Sequence, residues 1–136
     1  MSRAREVALF LLRVVAGLLF LQHGGQKLFA WFGGMPPDGA SASAFTLAWF
    51  GGVLEFFGGF LVIVGLCTRP VAFVLAGEMA YAYFRFHQPG GFWPAQNHGE
   101  MAVLYCFIFL LIAAHGAGPW SLDARRRSRR EPPTSS

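Results

Sequence analysis

Long apolar stretches alternate with short Gly- and Pro-rich breaks along this chain. Four of the stretches approach the roughly 20 residues that a helix needs to cross a hydrocarbon core. They cover about 7–32, 44–66, 70–86 and 98–115. The breaks between them are Gly33–Ser43, Thr68-Arg69-Pro70 and His87–Pro94, and Gly116, Gly118 and Pro119 close the last stretch. Pro70 suits the first turn of a helix, where its missing N–H is not needed. The first stretch follows basic residues as a signal peptide would, but Gln22-His23-Gly24-Gly25-Gln26-Lys27 follows it instead of a small-residue cleavage site. It is therefore read as an uncleaved helix. The pattern predicts an all-α membrane protein, a bundle of four transmembrane helices over residues 1–123. Residues 124–136 form a basic tail with a Pro/Ser-rich end, a composition that predicts disorder.

Composition supports this reading. The 136 residues are 54% hydrophobic and only 13% charged, against about 25% charged in soluble domains. A soluble enzyme with so few charges could not cover its surface, and 15 Phe and 4 Trp exclude a disordered chain. The net charge of +4 hints at nucleic acid, but its distribution argues for the lipid bilayer as the partner and against nucleic acid. Arg3 and Arg5 precede the first span, Arg69 lies in the second break, and Arg125, Arg126, Arg127, Arg129 and Arg130 crowd the tail. With four spans, all eight fall on one side, and neither Gly33–Ser43 nor His87–Asn97 holds a Lys or Arg. The positive-inside bias then places both termini in the cytoplasm. Trp31, Trp93 and Trp120 fall near span ends, as interfacial tryptophans do. Cys67 and Cys106 form no CxxC and are expected at different depths, as small buried hydrophobes.

Charges within lipid are costly and mark candidate sites. Arg13, Lys27, Glu55, Glu78, Arg85 and Glu100 fall in or beside the spans, and the set balances. Depth along the helices predicts an outer cluster of His23, Gln26, Lys27, Arg85, Asn97, His98 and Glu100, with Glu55 and Glu78 below it. Arg13, near the cytoplasmic end, is expected to reach Asp123 or a glutamate. Gly17 and Gly24 share a stripe with Arg13, and Gly52, Gly58, Gly59 and Gly65 follow the rhythm of Glu55. Such small-residue stripes let helices approach closely in lipid. The plainer reading is that these ion pairs only fix the register of the helices.

Several fragments together carry a family resemblance. Leu12-Arg13 with Gly17 and His23-Gly24-Gly25-Gln26-Lys27 resembles the first helix of the DoxX family. Gly52-x-x-Glu55-x-x-Gly58-Gly59 with Gly65 is similar to its second helix. Asn97-His98-Gly99-Glu100 is similar to the turn before its fourth helix, where glycine more usually stands at the position of His98. Gly116-x-Gly118-x-Trp120-Ser121-x-Asp123 resembles its closing motif. The resemblance spans about residues 5–123 and leaves the arginine tail without a family counterpart. It implies a multi-pass inner-membrane (plasma-membrane) protein with a redox association, since the related DoxD is a subunit of thiosulfate:quinone oxidoreductase. Links of other relatives to thiol stress and to oxidoreductase complexes point the same way.

Three functions remain open. In the first, the polar groups bind a quinone for redox metabolism or stress tolerance, with His23, Lys27 and Glu100 meeting the ring carbonyls and Phe and Leu holding the tail. The chain has no flavin motif, CxxC or iron–sulfur spacing, so electrons would come from a partner protein or a bound cofactor. Haem is disfavoured because only His23 and His98 make a credible axial pair, and no residue set is assigned to a metal. In the second, the bundle is a non-enzymatic scaffold or assembly factor for an oxidoreductase complex. In the third, it transports a small solute, which would call for a homo-oligomer because four spans without a repeat make a poor alternating-access device.

Overall fold

The computed structural model describes residues 1–130. Four long helices dominate: α1 (Arg3–Phe29), α2 (Leu47–Val64), α3 (Thr68–Ala82) and α5 (Glu100–His115). Two shorter helices, α4 (Pro94–Asn97) and α6 (Leu122–Arg130), complete the fold, and no strand occurs among the described residues. The helix α2 is long and apolar enough to cross a bilayer, with 18 residues at mean hydropathy 2.0. Helix α5 is a shorter apolar helix. Helix α1 runs longer, 27 residues, but carries Arg13 and Lys27 within it.

Local sequence sets the helix ends. Thr46 caps α2 by accepting the Trp49 N–H, and Gly65 ends it in the left-handed region at φ 70°. Helix α1 stops at Phe29 because Ala30 turns left-handed at φ 55°, so its apolar continuation through Phe32 forms a 3₁₀ turn over Trp31–Gly33 instead. Helix α3 gives way to a wider π turn over Tyr83–His87. At the end of α5 the Arg69 side chain donates to the carbonyls of Ala114 at 2.7 Å and His115 at 3.2 Å. Those carbonyls have no partner within the helix.

The helices pack as two close pairs, α1 with α2 and α3 with α5, joined along α2 and α3. Glycines set the first pair. A Cβ on Gly59 would lie 2.6 Å from the Gly17 carbonyl oxygen, and one on Gly24 would lie 2.3 Å from the Phe56 nitrogen. Gly52 lies against Lys27 and Leu28, and Gly58 against Leu75 of α3. The centre holds Phe20, Val62, Leu75, Tyr105, Phe109 and Ile112. The Phe20 ring meets Phe109 and Tyr105 edge-on at 4.6 and 4.8 Å. The outside is apolar too: Leu11, Val15, Phe57, Phe60, Phe73 and Phe107 are all exposed. Helices that are apolar on every side occur in the core of a large protein or within a membrane.

Disorder is expected for 124–136, but residues 124–130 continue α6, and 131–136 lie outside the described residues. The helix forms because Ser121 Oγ accepts the Ala124 N–H at 3.1 Å, a capping bond. Asp123 sits in the first turn and arginines in the last, the arrangement that the helix dipole favours.

Candidate functional site

Two polar assemblies stand along α1, one at Lys27 in its last turn and one at Arg13 in its first half. Lys27 and Arg13 are separated by about 21 Å along the helix axis at 1.5 Å per residue.

At the Lys27 end, the ammonium donates to Glu55 Oε1 at 2.8 Å across the α1–α2 contact. Glu55 is buried, with its side chain 5% exposed. Glu78, on α3, stands close by: a Cβ on Gly51 would lie 3.2 Å from Glu78 Oε1 and 3.6 Å from Lys27 Nζ. One carboxyl group thus pairs with the ammonium, and a second stands nearby without pairing. Glu55 Oε2 and Glu78 Oε2 are buried with no hydrogen-bond partner among the described residues. Buried polar atoms normally find partners, so these two are available to a ligand.

These three side chains floor a cleft of about 900 Å³ between α2 and α3. Its walls are apolar, built from Phe50, Leu54, Val74 and Phe86, with Tyr81 and His87 at the edge. The glycines explain the opening. Gly51 and Gly77 line it, and a Cβ on Gly77 would meet nothing within 4 Å. A second groove, between α1 and α5, is about 190 Å³ and lined by residues such as Leu12, Leu19 and Leu104. It presents no polar surface, so the α2–α3 cleft is where chemistry is available.

The outer cluster expected from depth alone does not assemble. His23, Arg85, His98 and Glu100 are exposed, and no hydrogen bond involves their side chains among the described residues. His98 adopts φ 60° where the chain leaves α4, a left-handed conformation that glycine takes without strain. Gln26 donates to the Gly34 carbonyl at 2.8 Å and pins the first loop. Asn97 is buried and holds the turn before α5. Its amide nitrogen donates to the Gly91 carbonyl at 2.7 Å and to Tyr83 Oη at 3.2 Å, and its oxygen accepts the Gly99 N–H at 2.8 Å. The Tyr83 hydroxyl in turn donates to the Phe92 carbonyl. Only Lys27 of the expected outer group joins the glutamates. Among the described residues no three His, Cys, Asp or Glu side chains group as metal ligands. Cys67 and Cys106 are both free thiols, and Cys67 is exposed rather than buried, at the start of α3.

In the other assembly Arg13 is 1% exposed and reaches neither glutamate. Its Nη2 donates to the Trp120 carbonyl at 2.6 Å. Its guanidinium lies 5.6 Å from the centre of the Phe10 ring. Gly65 makes this possible, since a Cβ there would overlap Arg13 Nη1. Asp123 accepts the N–H groups of Cys67 at 2.8 Å and Thr68 at 2.9 Å, and its own N–H bonds the Gly65 carbonyl at 2.8 Å. Partial burial pushes the Asp123 carboxyl up, but the Thr68 and Cys67 N–H groups and the Arg126 charge outweigh it and hold the group below its ordinary value. The closing motif is thus a latch that ties α1 and the α2–α3 turn to the start of α6. Sequence reading missed the capping by Asp123, the clamp of Arg69 on α5 and the role of Tyr83. The Asp-capping signal was present, but its target lies 55 residues away.

Comparison with known proteins shows which sequences the chain is similar to. The family model DoxX matches residues 8–88. An uncharacterized protein of Haemophilus influenzae is 40% identical over 126 residues, which cover 90% of this chain and 93% of that protein. An uncharacterized membrane protein of Mycobacterium tuberculosis is 36% identical over 141 aligned positions, covering 88% of this chain and 80% of that protein. A proposed oxidoreductase, CatD of Bacillus subtilis, is 33% identical over 76 residues, 56% of this chain and 57% of CatD. No solved structure matches the chain.

Proposed function

The chain belongs to the DoxX family of membrane proteins, and on that premise we propose that it spans the inner membrane four times, both termini cytoplasmic, and binds a quinone-type ring in the α2–α3 cleft. In this reading it serves quinone-linked redox metabolism or tolerance of oxidative and thiol stress. The observation that carries the proposal is the cleft itself, an apolar slot of about 900 Å³ that ends on Lys27, Glu55 and Glu78. A quinone has the same division, an apolar tail and a ring with two carbonyl acceptors. The Lys27 ammonium has donors to spare beyond its bond to Glu55 and reaches one carbonyl. The Glu78 carboxyl, bonded to nothing else among the described residues, exchanges a proton with the ring. Reduction to the quinol needs two electrons and two protons. The chain supplies the binding slot and proton-bearing groups, and a partner oxidoreductase supplies the electrons. The likeness to CatD over 76 residues supports the redox association. Four helices with an apolar outer surface, and basic residues gathered at one end, support the topology.

The test is a titration of the full chain, purified in mild detergent, with a short-chain ubiquinone. Saturable binding is expected, with Glu78→Gln weakening it about tenfold while the thermal midpoint stays in place. No saturable binding, or full affinity in Glu78→Gln, contradicts the proposal and favours the scaffold reading.

A further inference from the structure

A second site lies at the opposite end of the molecule from the cleft. The face of α6 that carries Asp123, Arg126, Arg127 and Arg130 looks onto the start of α3, and between them runs a groove of about 330 Å³ that also takes in Arg69. An adjoining groove of about 430 Å³ shares Arg69 and Arg127 with it and extends along Gly116–Pro119. The spacing of 123, 126, 127 and 130 follows the helical repeat, which sets these side chains on one face. Arg125 and Arg129 are not among the lining residues. The one carboxylate in the groove is already engaged, since both Asp123 oxygens accept backbone N–H groups. Arg126, Arg127 and Arg130 make no side-chain hydrogen bond or ion pair among the described residues, and Arg69 commits three of its five N–H donors to carbonyls at the end of α5. Four guanidinium groups therefore line a space whose one carboxylate among the described residues is already committed. Planar guanidinium groups are the side chains best matched to phosphate oxygens.

We propose that this groove binds the phosphate of an anionic lipid headgroup. The lipid source follows from what adjoins the groove. One turn below Arg69 on the same face of α3 stands Phe73, 65% exposed, and Val74 beside it is also exposed. Trp120 and Leu122 are exposed where α6 begins. A phosphate held among Arg69, Arg126, Arg127 and Arg130 has exposed Phe73 nearby to receive an attached acyl chain, so the site matches an amphiphile and not a free anion. Basic pockets at the cytoplasmic ends of membrane helices recognise headgroups by this chemistry. The inference is independent of what fills the α2–α3 cleft.

The experiment follows helical thermal unfolding of the full chain in non-ionic detergent, with added phosphatidylglycerol, phosphatidylcholine or inorganic phosphate. Two variants remove equal charge from different faces of α6, Arg126→Gln/Arg130→Gln and Arg125→Gln/Arg129→Gln. Glutamine keeps helix propensity in both. Phosphatidylglycerol should raise the wild-type midpoint saturably while phosphatidylcholine does not. The 126/130 variant should need about tenfold more lipid or higher for the same shift, and the 125/129 variant should stay within about twofold of wild type. Equal weakening in both variants would show diffuse charge attraction and overturn the site. Equal stabilisation by both lipids would overturn the headgroup preference. If inorganic phosphate alone gave the whole shift, the lipid source would be overturned.

Discussion

The Lys27 ammonium lies 2.8 Å from Glu55 Oε1, and this single ion pair joins the far end of α1 to the middle of α2. Glu55 is buried, whereas the Lys27 side chain keeps 30% of its exposure. Breaking a fully buried pair costs roughly 3–5 kcal/mol, largely because the remaining charge loses its partner. Lys27→Met should therefore destabilise the fold by less than that, about 2–3 kcal/mol, in a denaturant titration of the detergent-solubilised protein. Adding Glu55→Gln to Lys27→Met should recover part of the loss. A double variant less stable than Lys27→Met would mean that the pair is not the reason for the cost.

Glu78 behaves differently because, unlike Glu55, its carboxyl group has no hydrogen-bond or ion-pair partner among the described residues. Glu78→Gln should leave the unfolding midpoint within about 0.5 kcal/mol of wild type, yet weaken quinone binding. A stability loss comparable to that of Lys27→Met would instead assign Glu78 to the framework.

The glycines separate into those that set helix distance and those that do not. Gly24→Ala must push α2 away, because its Cβ would fall 2.3 Å from the Phe56 backbone nitrogen. A loss of at least about 2 kcal/mol is expected. Gly77→Ala meets nothing within 4 Å and should be neutral or stabilising by up to about 1 kcal/mol through helix propensity. The two variants, compared in one unfolding assay, should differ in sign or clearly in size.

Asp123 makes the latch at the Arg13 end sensitive to acid. Its pKa is lower in the folded protein than the unfolded value of about 3.9. Its contribution is therefore fully present above that value and is lost as pH falls through the folded pKa. Hydrogen exchange at the Cys67 and Thr68 amides, corrected for intrinsic rates, should hold steady from pH 7 to 5 and accelerate below about pH 4. Asp123→Asn should show faster exchange at neutral pH and lose the acid step. An unchanged acid step in that variant would place the titrating group elsewhere.

Much of the fold is legible in the sequence because the apolar runs are long and Gly and Pro punctuate them. Gly17, Gly24, Gly52, Gly58 and Gly59 share a spacing that only close helix contact explains. The meeting of Lys27, Glu55 and Glu78 was less legible: depth estimates put the glutamates below Lys27, but the azimuth of each helix decides which side chains meet. The same limit separates His23 and Glu100 from the site. Both lie near the right depth, but they point outward. Asn97 reads as a ligand group because depth along the helices places it with the other outer polar residues. In the structure its three bonds are spent on Tyr83, Gly91 and Gly99, a tertiary arrangement that no local pattern encodes. The arginine tail read as disordered from its charge, but Ser121 and Asp123 start a helix there.

In the proposed site a quinone ring sits beside Lys27, Glu55 and Glu78 between α2 and α3. Photolabelling of the full chain with an azido-ubiquinone, followed by peptide mapping, tests it most directly. Label is expected on the segments holding Phe50, Leu54 and Phe86, competed away by unmodified quinone and reduced in Glu78→Gln. Label confined to the apolar α1–α5 groove around Leu19 and Leu104, or spread evenly over the lipid-facing surface, would contradict it.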